Sequence, residues 1–255
     1  MLNNKQKMIA IVGPTASGKT ALAIKVARLL QTEIISEDAF QIYRTLDIGT
    51  AKPNQQELAA VKEHFINIKD PSDSYNAYEF MNDARKLIDH FVNRNKLPVV
   101  VGGSGFFLQT LLGDRQLSSQ NTAPIPQEAS PKNRLYQALL VGLEMDRSLL
   151  YDRINRRVDL MFQQGLLAEA ETLFQLEGDF QSKKAIGYRE FLAYFDGRQS
   201  LDRTKELIKR DSRRYAKRQL TYFRNQFPDI HWFDAIEISK NPEKIFDLVK
   251  KFDQL

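Results

Sequence analysis

The sequence contains no cysteine among its 255 residues. This absence excludes disulfide bonds, zinc sites built on cysteine and catalysis by a thiol. No apolar run approaches the roughly 20 residues that a membrane-spanning helix needs, and residues 1–8 are polar where a secretory signal would be apolar. The three histidines are scattered, so we expect no zinc site. We therefore expect a cytoplasmic protein that does not associate with a membrane.

The sequence also lacks a large excess of charge of either sign. Its 37 Lys+Arg residues and 32 Asp+Glu residues give a net charge of +5. This excess alone is too small to indicate a polyanionic partner. The basic residues nevertheless concentrate in residues 198–224, at helical spacing. That spacing predicts an apolar stripe opposite the charges, made of Leu207, Ile208, Tyr215 and Tyr222. A solvated helix surface and a surface that binds anions or nucleic acid both remain open.

The most informative pattern is a glycine-rich loop between an apolar strand and a helix. Residues 13–20 fit G-x-x-x-x-G-K-[ST] at every fixed position. Glycines let backbone N–H groups approach an oxyanion, the following helix presents its positive end, and a lysine adds charge. We predict a phosphate or diphosphate cradle with Mg²⁺ on Thr20. The cradle residues are Gly13, Pro14, Thr15, Ala16, Ser17, Gly18, Lys19 and Thr20.

Apolar periodicity predicts alternating strands and helices, which is typical of a parallel sheet covered by helices. The predicted strands are residues 8–12, 33–36, 64–68, 97–101, 136–142 and 231–233. The predicted helices are residues 21–30, 55–62, 75–93, a segment ending at 112, 146–175 with a break at Gly165, a pair ending at 227, and a terminal helix. We predict an α/β fold: a P-loop NTPase-like parallel sheet flanked by helices, with a helical C-terminal portion. It forms one domain over residues 1–255, in which residues 113–132 are a flexible connector.

Three polar clusters fall at the ends of predicted strands, at residues 13–20, 36–41 and 102–105. Ligands of open α/β sheets bind outside the carboxyl ends of the strands, so we expect the clusters to converge on one crevice. Asp38 would be the carboxylate nearest the cradle, close to a magnesium ion or acting as a proton acceptor. Capping of the following turn is the alternative for Asp38, and a bond to nearby backbone is the alternative for Ser104. The glycines of the third cluster indicate close approach to a ligand or to the P-loop.

Six segments of the chain carry a resemblance to the tRNA dimethylallyltransferases. They are residues 13–20, 36–44, 46–53, 101–105, 185–190 and 213–219, in the order found in that family. The P-loop is shared by many families, but Asp-Ile-Gly-Thr-Ala-Lys-Pro and Arg-Arg-Tyr-Ala-Lys-Arg-Gln together are highly specific. The resemblance covers nearly the whole chain. It implies transfer of a dimethylallyl group from dimethylallyl diphosphate to the exocyclic amino nitrogen of the adenosine 3′ of the tRNA anticodon.

The resemblance also implies roles for individual residues. The diphosphate loop falls on residues 13–20, the general base on Asp38, the hydroxyl of the Gly-Gly-Thr-Gly segment on Ser104, and the diphosphate-clamping arginine on Arg213. The residues expected to contact tRNA are Asp38, Ala39, Phe40, Gln41, Ser104, Lys217 and Arg218. The implied cofactor is Mg²⁺, and the implied partner is the anticodon stem-loop. We expect the protein to act as a monomer.

The chain departs from the family in one respect. Members carry a helical insertion that grips the anticodon stem, and only residues 113–132 occupy that place here. We therefore expect tRNA binding to rest on the basic helix and on Gln41, with a shallow salt dependence.

Three alternatives remain at this point: prenylation of a free adenine nucleotide, a P-loop small-molecule kinase, and a non-catalytic relative that binds RNA or diphosphate. The strand at residues 99–101 ends in two glycines rather than in a magnesium-binding aspartate, which argues against the kinase. Asp38, Lys19, Thr20 and Arg213 argue against a non-catalytic protein.

Overall fold

The computed structural model describes residues 5–113 and 134–254. Within them, six strands form one sheet in the order β3-β2-β4-β1-β5-β6, and every pair of neighbours is parallel. The strands are β1 (Lys7–Val12), β2 (Ile34–Glu37), β3 (Glu63–His64), β4 (Val99–Gly102), β5 (Gln137–Glu144) and β6 (His231–Asp234). All carboxyl ends therefore lie at one edge of the sheet, as the sequence predicts.

Helices cover both faces of this sheet. They are α1 (Lys19–Leu29), α2 (Gln55–Ala60), α3 (Ala77–Val92), α4 (Gly105–Leu112), α5 (Arg147–Gln163), α6 (Leu166–Gln175), α7 (Leu192–Phe195), α8 (Leu201–Gln226), α9 (Ala235–Lys240) and α10 (Glu243–Gln254). The predicted α/β sheet with a helical C-terminal portion is confirmed. None of the helices in the described residues is both long and apolar enough to cross a membrane.

The central strand β1 shows how the sequence fixes the two faces. Successive side chains of a strand point to opposite faces. Met8 and Ala10 accordingly belong to a core that includes residues of α3, α4 and α8, whereas Ile9 and Ile11 belong to a second core with α1 and α10. Because both faces are buried, the strand is apolar throughout, which is typical of a parallel sheet.

Three predictions of element bounds are wrong. The extended segment expected at residues 64–68 ends at His64, because Phe65 and Asn67 adopt left-handed conformations with φ of 67° and 56°. The first helix of the expected pair before residue 227 is replaced by two 3-10 turns and the one-turn helix α7. Glycines in left-handed conformations, Gly178, Gly187 and Gly197, interrupt that region.

The expected terminal helix is two helices, α9 and α10, separated at residues 241–242. Pro242 lies at this junction, where a proline ends a preceding helix and can begin the next one. The break expected at Gly165 is confirmed, since this glycine has φ of 104° between α5 and α6. The predicted connector at residues 113–132 lies, apart from Gly113, outside the described residues.

Candidate active site

The glycine-rich loop forms a tight turn between β1 and α1. Gly13 has φ of 154°, and a side chain there would meet the Leu143 carbonyl of β5 at 2.8 Å. Ala16 and Gly18 adopt left-handed conformations, with φ of 65° and 89°. These conformations turn successive N–H groups toward one side, which is the geometry of an anion cradle at a helix N-terminus. The strand, loop and helix predicted from the sequence are all present.

Two cations supply charge to the cradle. The Lys19 ammonium donates to the Pro14 carbonyl at 3.2 Å, and Arg157 of α5 donates to the Thr15 hydroxyl at 3.1 Å. Burial, together with the nearby Arg157 charge, lowers the pKa of Lys19 to about 8. Burial also lowers the pKa of Arg157. Lys19 and Arg157 are two half-buried cations that repel each other, and an anion such as diphosphate bound between them would relieve this repulsion.

The cradle opens into a cavity of about 1250 Å³. The three polar clusters at the strand ends all contribute to its lining, so the predicted convergence is confirmed. From the cradle, Thr15, Ala16, Gly18, Lys19 and Thr20 line the cavity. From the other clusters, Ser36, Asp38, Ala39, Phe40, Gln41, Gly102 and Ser104 line it. Of the remaining cradle residues, Ser17 is buried, and its hydroxyl has no hydrogen-bond partner among the described residues. The Pro14 carbonyl accepts from Lys19, and Gly13 lies against Leu143 of β5.

Asp38 both caps a turn and lines the cavity. Its Oδ1 atom accepts hydrogen bonds from the N–H groups of Phe40 at 2.9 Å and Gln41 at 3.2 Å, which is the capping role considered from the sequence. Its Oδ2 atom has no hydrogen-bond partner within residues 5–113 and 134–254. One oxygen thus fixes the orientation of the carboxylate, and the other stays available to accept a proton.

Other carboxyl groups near Asp38 are held in less polar surroundings. Burial raises the pKa of Glu63, a cavity residue at the sheet edge, to about 7. Glu37 is buried, its Oε1 accepts the Leu108 N–H at 3.1 Å, and burial raises its pKa as well. Both environments favour the neutral carboxylic acid. Glu63 and Glu37 therefore repel a bound diphosphate less than two fully charged carboxylates would.

The third cluster forms the turn between β4 and α4. Ser104 is the residue preceding α4, but its side chain makes no capping hydrogen bond. A side chain on Gly103 would collide with the Gln219 amide and lie 3.4 Å from the Gly13 carbonyl oxygen of the P-loop. Gly105 is covered by the ring of Tyr222. The glycines therefore allow close packing on the P-loop and on α8, one of the two possibilities raised by the sequence.

Gln219 of α8 connects the P-loop to this turn. It accepts a hydrogen bond from the Thr15 N–H at 2.9 Å and donates one to the Gly103 carbonyl at 3.0 Å. Its side chain is buried. A single amide therefore sets the separation of two loops that line the cavity.

The segment 46–53 forms another wall of the cavity. Lys52 donates to Asp47 at 2.6 Å, to Asn67 at 2.6 Å and to the Tyr43 carbonyl, and its side chain is 4% exposed. Gln41 donates to the Thr50 and Ala51 carbonyls, each at 3.2 Å. Asp47, Lys52 and Gln41 therefore hold this loop in place through hydrogen bonds.

The long helix α8 carries the basic residues. Its buried side includes Ile208, Ala216 and Phe223. The predicted apolar stripe is wrong for Tyr215, which is 37% exposed and lines the cavity. Arg218 lines the main cavity and also a neighbouring groove of about 530 Å³. The groove is lined by Arg214, Lys217, Arg218, Thr221, Tyr222, Asn225 and Gln226.

Arg213, the predicted diphosphate clamp, lies outside the lining of the cavity. Its guanidinium donates to the Asn155 side chain of α5 at 2.6 Å, and Arg213 is not among the residues that line the cavity. Its role as a diphosphate clamp stays a prediction. Arg157, which the sequence did not single out, lines the cavity next to the cradle. It reaches the P-loop from α5, a contact between distant parts of the chain that no local pattern signals.

The cavity residues fit a magnesium ion. Mg²⁺ is held by one or two protein oxygens together with waters and substrate phosphates, not by a complete cage of side chains. The Thr20 hydroxyl would hold the ion, and Asp38 lines the same cavity nearby. The described residues contain no group of three or more His, Cys, Asp or Glu arranged as a complete metal site.

Comparisons with known proteins agree with this geometry. The sequence model described as IPP transferase matches residues 41–129 and 113–226. A tRNA dimethylallyltransferase of Oenococcus oeni is 61% identical over 250 residues, which cover 98% of this chain and 97% of the relative. A tRNA dimethylallyltransferase of Bacillus subtilis is 40% identical, covering 96% and 97% of the two chains. That alignment spans 306 residues, more than this chain has, so the Bacillus relative contains residues with no counterpart here.

A solved structure extends the agreement to three dimensions. The crystal structure of the full-length tRNA isopentenylpyrophosphate transferase from Bacillus halodurans superposes with a TM-score of 0.86 at 35% identity. The match covers 98% of this chain and 99% of that chain. The sheet order and the surrounding helices are therefore those of a known enzyme fold.

Proposed function

The chain belongs to the IPP transferase family, and we propose that it is a tRNA dimethylallyltransferase. It transfers the dimethylallyl group of dimethylallyl diphosphate to the exocyclic amino nitrogen of the adenosine 3′ of the anticodon. The observation that carries this proposal is the joining, in one cavity, of a cationic diphosphate cradle and a fixed carboxylate with one free oxygen. A groove lined by Arg214, Lys217 and Arg218 adjoins that cavity.

The reaction exchanges two bonds. A bond forms between the adenine amino nitrogen and the terminal allylic carbon, and the bond from that carbon to the diphosphate oxygen breaks. The amino group loses one proton, for which Asp38 Oδ2 is the acceptor. An amino group conjugated to a purine is a poor nucleophile, so removal of its proton assists bond formation. The electron pair of the broken bond leaves with the diphosphate.

The cradle stabilises the charge that develops on the leaving diphosphate. Lys19, Arg157 and those loop N–H groups that are not already bonded to Gln219 or Pro14 are positioned before the reaction begins, so little reorganisation is needed when the charge appears. Removing one such donor typically reduces the rate by about 10² to 10³. When bound through Thr20, Mg²⁺ would add Lewis-acid neutralisation of the diphosphate oxygens. Arg213 is proposed to join this clamp once the substrates are bound.

The acceptor RNA is proposed to lie along α8 and over residues 38–41. Arg214, Lys217 and Arg218 place positive charge along the groove beside the cavity, where backbone phosphates would bind. Gln41 lines the cavity, and its amide hydrogens are already paired with the 46–53 segment. Among the described residues, its amide oxygen accepts only a long hydrogen bond from the Ser36 hydroxyl at 3.4 Å, and we propose that this oxygen contacts the RNA. We propose that the protein acts as a monomer in the cytoplasm, where tRNA is available.

The test is prenyl transfer by wild type and by Asp38→Asn. Radiolabelled dimethylallyl diphosphate is incubated with Mg²⁺ and either tRNA or AMP. We expect label in tRNA and none in AMP. Asp38→Asn should lower the rate by about 10² or more while its affinity for dimethylallyl diphosphate stays within about twofold. Label in AMP alone would indicate a nucleotide prenyltransferase, and equal loss of transfer and donor binding would contradict the proton-acceptor role.

A further inference from the structure

The Glu169 carboxylate of α6 accepts hydrogen bonds from four donors. It accepts from the N–H groups of Asp47 at 2.8 Å, Ile48 at 2.9 Å and Gly49 at 2.9 Å, three consecutive residues of the cavity wall. It also accepts from the Tyr188 hydroxyl at 2.6 Å. Hydrogen bonds to a charged acceptor are roughly twice as strong as neutral ones, so this carboxylate is the principal anchor of the turn at residues 47–49.

The anchored segment has no regular structure of its own. Between Tyr43 and α2 the chain forms neither helix nor strand, so its backbone donors must find partners elsewhere. Thr45 and Ala51 adopt left-handed conformations, with φ of 64° and 52°. Such conformations are costly for residues with a side chain and persist only where the surroundings impose them. Glu169 imposes the shape at one end of the segment, and Lys52 does so at the other.

Close packing accompanies the hydrogen bonds of the anchored turn. A side chain on Gly49 would overlap the ring of Tyr188, which is fully buried, at 2.5 to 2.8 Å. A side chain on Gly187 would lie 3.3 Å from the Gly49 carbonyl oxygen. The turn is therefore held against the 185–190 region by its backbone, with the Glu169 carboxylate and the Tyr188 hydroxyl bonded to each other beneath it.

The position of the 47–49 turn determines where the hydrogen-bond acceptors of Gln41 lie. Both hydrogens of the Gln41 amide are directed at the carbonyls of Thr50 and Ala51, one and two residues beyond the turn. The Gln41 N–H in turn is bonded to Asp38 at 3.2 Å. A displaced 47–49 turn would move the two carbonyls and release the Gln41 amide hydrogens. Of its contacts in the described part of the chain, the amide would then keep only the long bond from the Ser36 hydroxyl to its oxygen at 3.4 Å. The Phe40 N–H would still bind Asp38 Oδ1 at 2.9 Å, so the carboxylate would keep its main anchor.

We propose that Glu169 is a positioning residue for RNA recognition: it fixes the 46–53 segment and, through Thr50 and Ala51, the orientation of the Gln41 amide. The proposal rests on the proposed function for its substrate, because Gln41 is assigned there to the RNA. Glu169 itself does not line the cavity. Its effect should thus appear in the affinity for the RNA and not in the binding of dimethylallyl diphosphate, whose cradle is held by Gln219 and Arg157.

The experiment compares Glu169→Ala, Glu169→Gln and Tyr188→Phe with the matched control Glu171→Ala. Glu171 is an exposed residue of the same helix. Steady-state rates are measured while an anticodon stem-loop RNA and dimethylallyl diphosphate are varied separately. For Glu169→Ala we expect the KM for RNA to rise about tenfold or more, with kcat and the KM for the diphosphate within about threefold. Tyr188→Phe leaves three of the four donors to Glu169 in place and should change the KM for RNA little. Glu169→Gln should give a KM for RNA between those of wild type and Glu169→Ala.

Two measurements that need no catalysis accompany the kinetics. Amide hydrogen exchange of residues 46–51 should be at least tenfold faster in Glu169→Ala than in wild type or Glu171→Ala, because three protected N–H groups lose their acceptor. Direct binding of the stem-loop should weaken in parallel with the KM. Unchanged exchange, or equal losses in RNA and diphosphate binding, would overturn the proposal. Absence of transfer by wild type with normal RNA binding would instead count against the proposed reaction.

Discussion

Replacement of Gln219 tests how the cradle at residues 13–20 is held to the turn between β4 and α4. Gln219→Leu removes the bonds to the Thr15 N–H at 2.9 Å and to the Gly103 carbonyl at 3.0 Å, while leaving a side chain of similar size. Each buried polar group left unpaired costs about 1 to 3 kcal/mol. We expect the free energy of unfolding to fall by roughly 2 to 5 kcal/mol, and donor affinity to fall as well, because Thr15 belongs to the cradle.

The variant Gln219→Glu tests the two hydrogen bonds separately, because it keeps the first and disturbs the second. The introduced carboxyl can still accept from Thr15, but its second oxygen would face the Gly103 carbonyl oxygen across about 3 Å, where the amide now donates. Burial and this carbonyl should raise the pKa of the introduced carboxyl, since only its protonated form can donate. The native state then holds a proton that the unfolded state releases. Stability of this variant should therefore decrease as pH rises from about 4.5 to the raised pKa.

Urea unfolding at pH 5 and pH 8, together with calorimetric titration of dimethylallyl diphosphate, would measure both effects. Gln226→Glu is the control, because Gln226 lies on the same helix and acts as an acceptor for Gln109 at 3.1 Å, a role that a carboxylate retains. The control should show no added pH dependence. If Gln219→Leu unfolds at the wild-type urea concentration and binds the donor equally well, the bridge does not hold the cradle.

Two further predictions concern pH. Because the pKa of Lys19 is about 8, the affinity for dimethylallyl diphosphate should decrease as pH rises from 7 to 9.5, and Lys19→Arg should remove this decrease; a flat wild-type profile in calorimetry would contradict it. The pKa of Glu63 is raised from 4.5 to about 7, so between these two pH values the native state keeps a proton that the unfolded chain loses. The free energy of unfolding should therefore fall by at most about 3 kcal/mol between pH 4.5 and 7. Glu63→Gln should lack this fall in urea unfolding, and an identical pH profile for both proteins would refute the assignment.

The sequence was sufficient to predict the sheet, the cradle and the convergence of three strand ends, because each depends on local patterns. The P-loop requires glycine at fixed positions, and buried parallel strands require continuous apolar runs. Asp38 followed from the same logic, since it comes directly after a strand. Its capping role and its place in the cavity, considered as alternatives, coexist because a carboxylate has two oxygens.

The residues that the sequence did not reveal act across long separations in the chain. Arg157 contacts a loop 142 residues earlier, Gln219 contacts one 204 residues earlier, and Glu169 contacts one about 120 residues earlier. Each looks like an ordinary polar residue on its helix. Likewise, helical spacing placed Tyr215 on the apolar stripe, but the packing of α8 against α5 and α4 leaves it at the cavity. Tertiary contacts decide such positions, and periodicity cannot.

The place of β1 in the sheet has a consequence for how the cradle meets its ligand. This strand is paired along both edges, with β4 and β5, and is completely buried from Met8 onward. The loop that follows it therefore begins from a strand that is held along both edges and covered on both faces, so its N–H groups are aligned before any diphosphate arrives. Binding then sacrifices little backbone freedom, and more of the interaction with the diphosphate is retained as affinity.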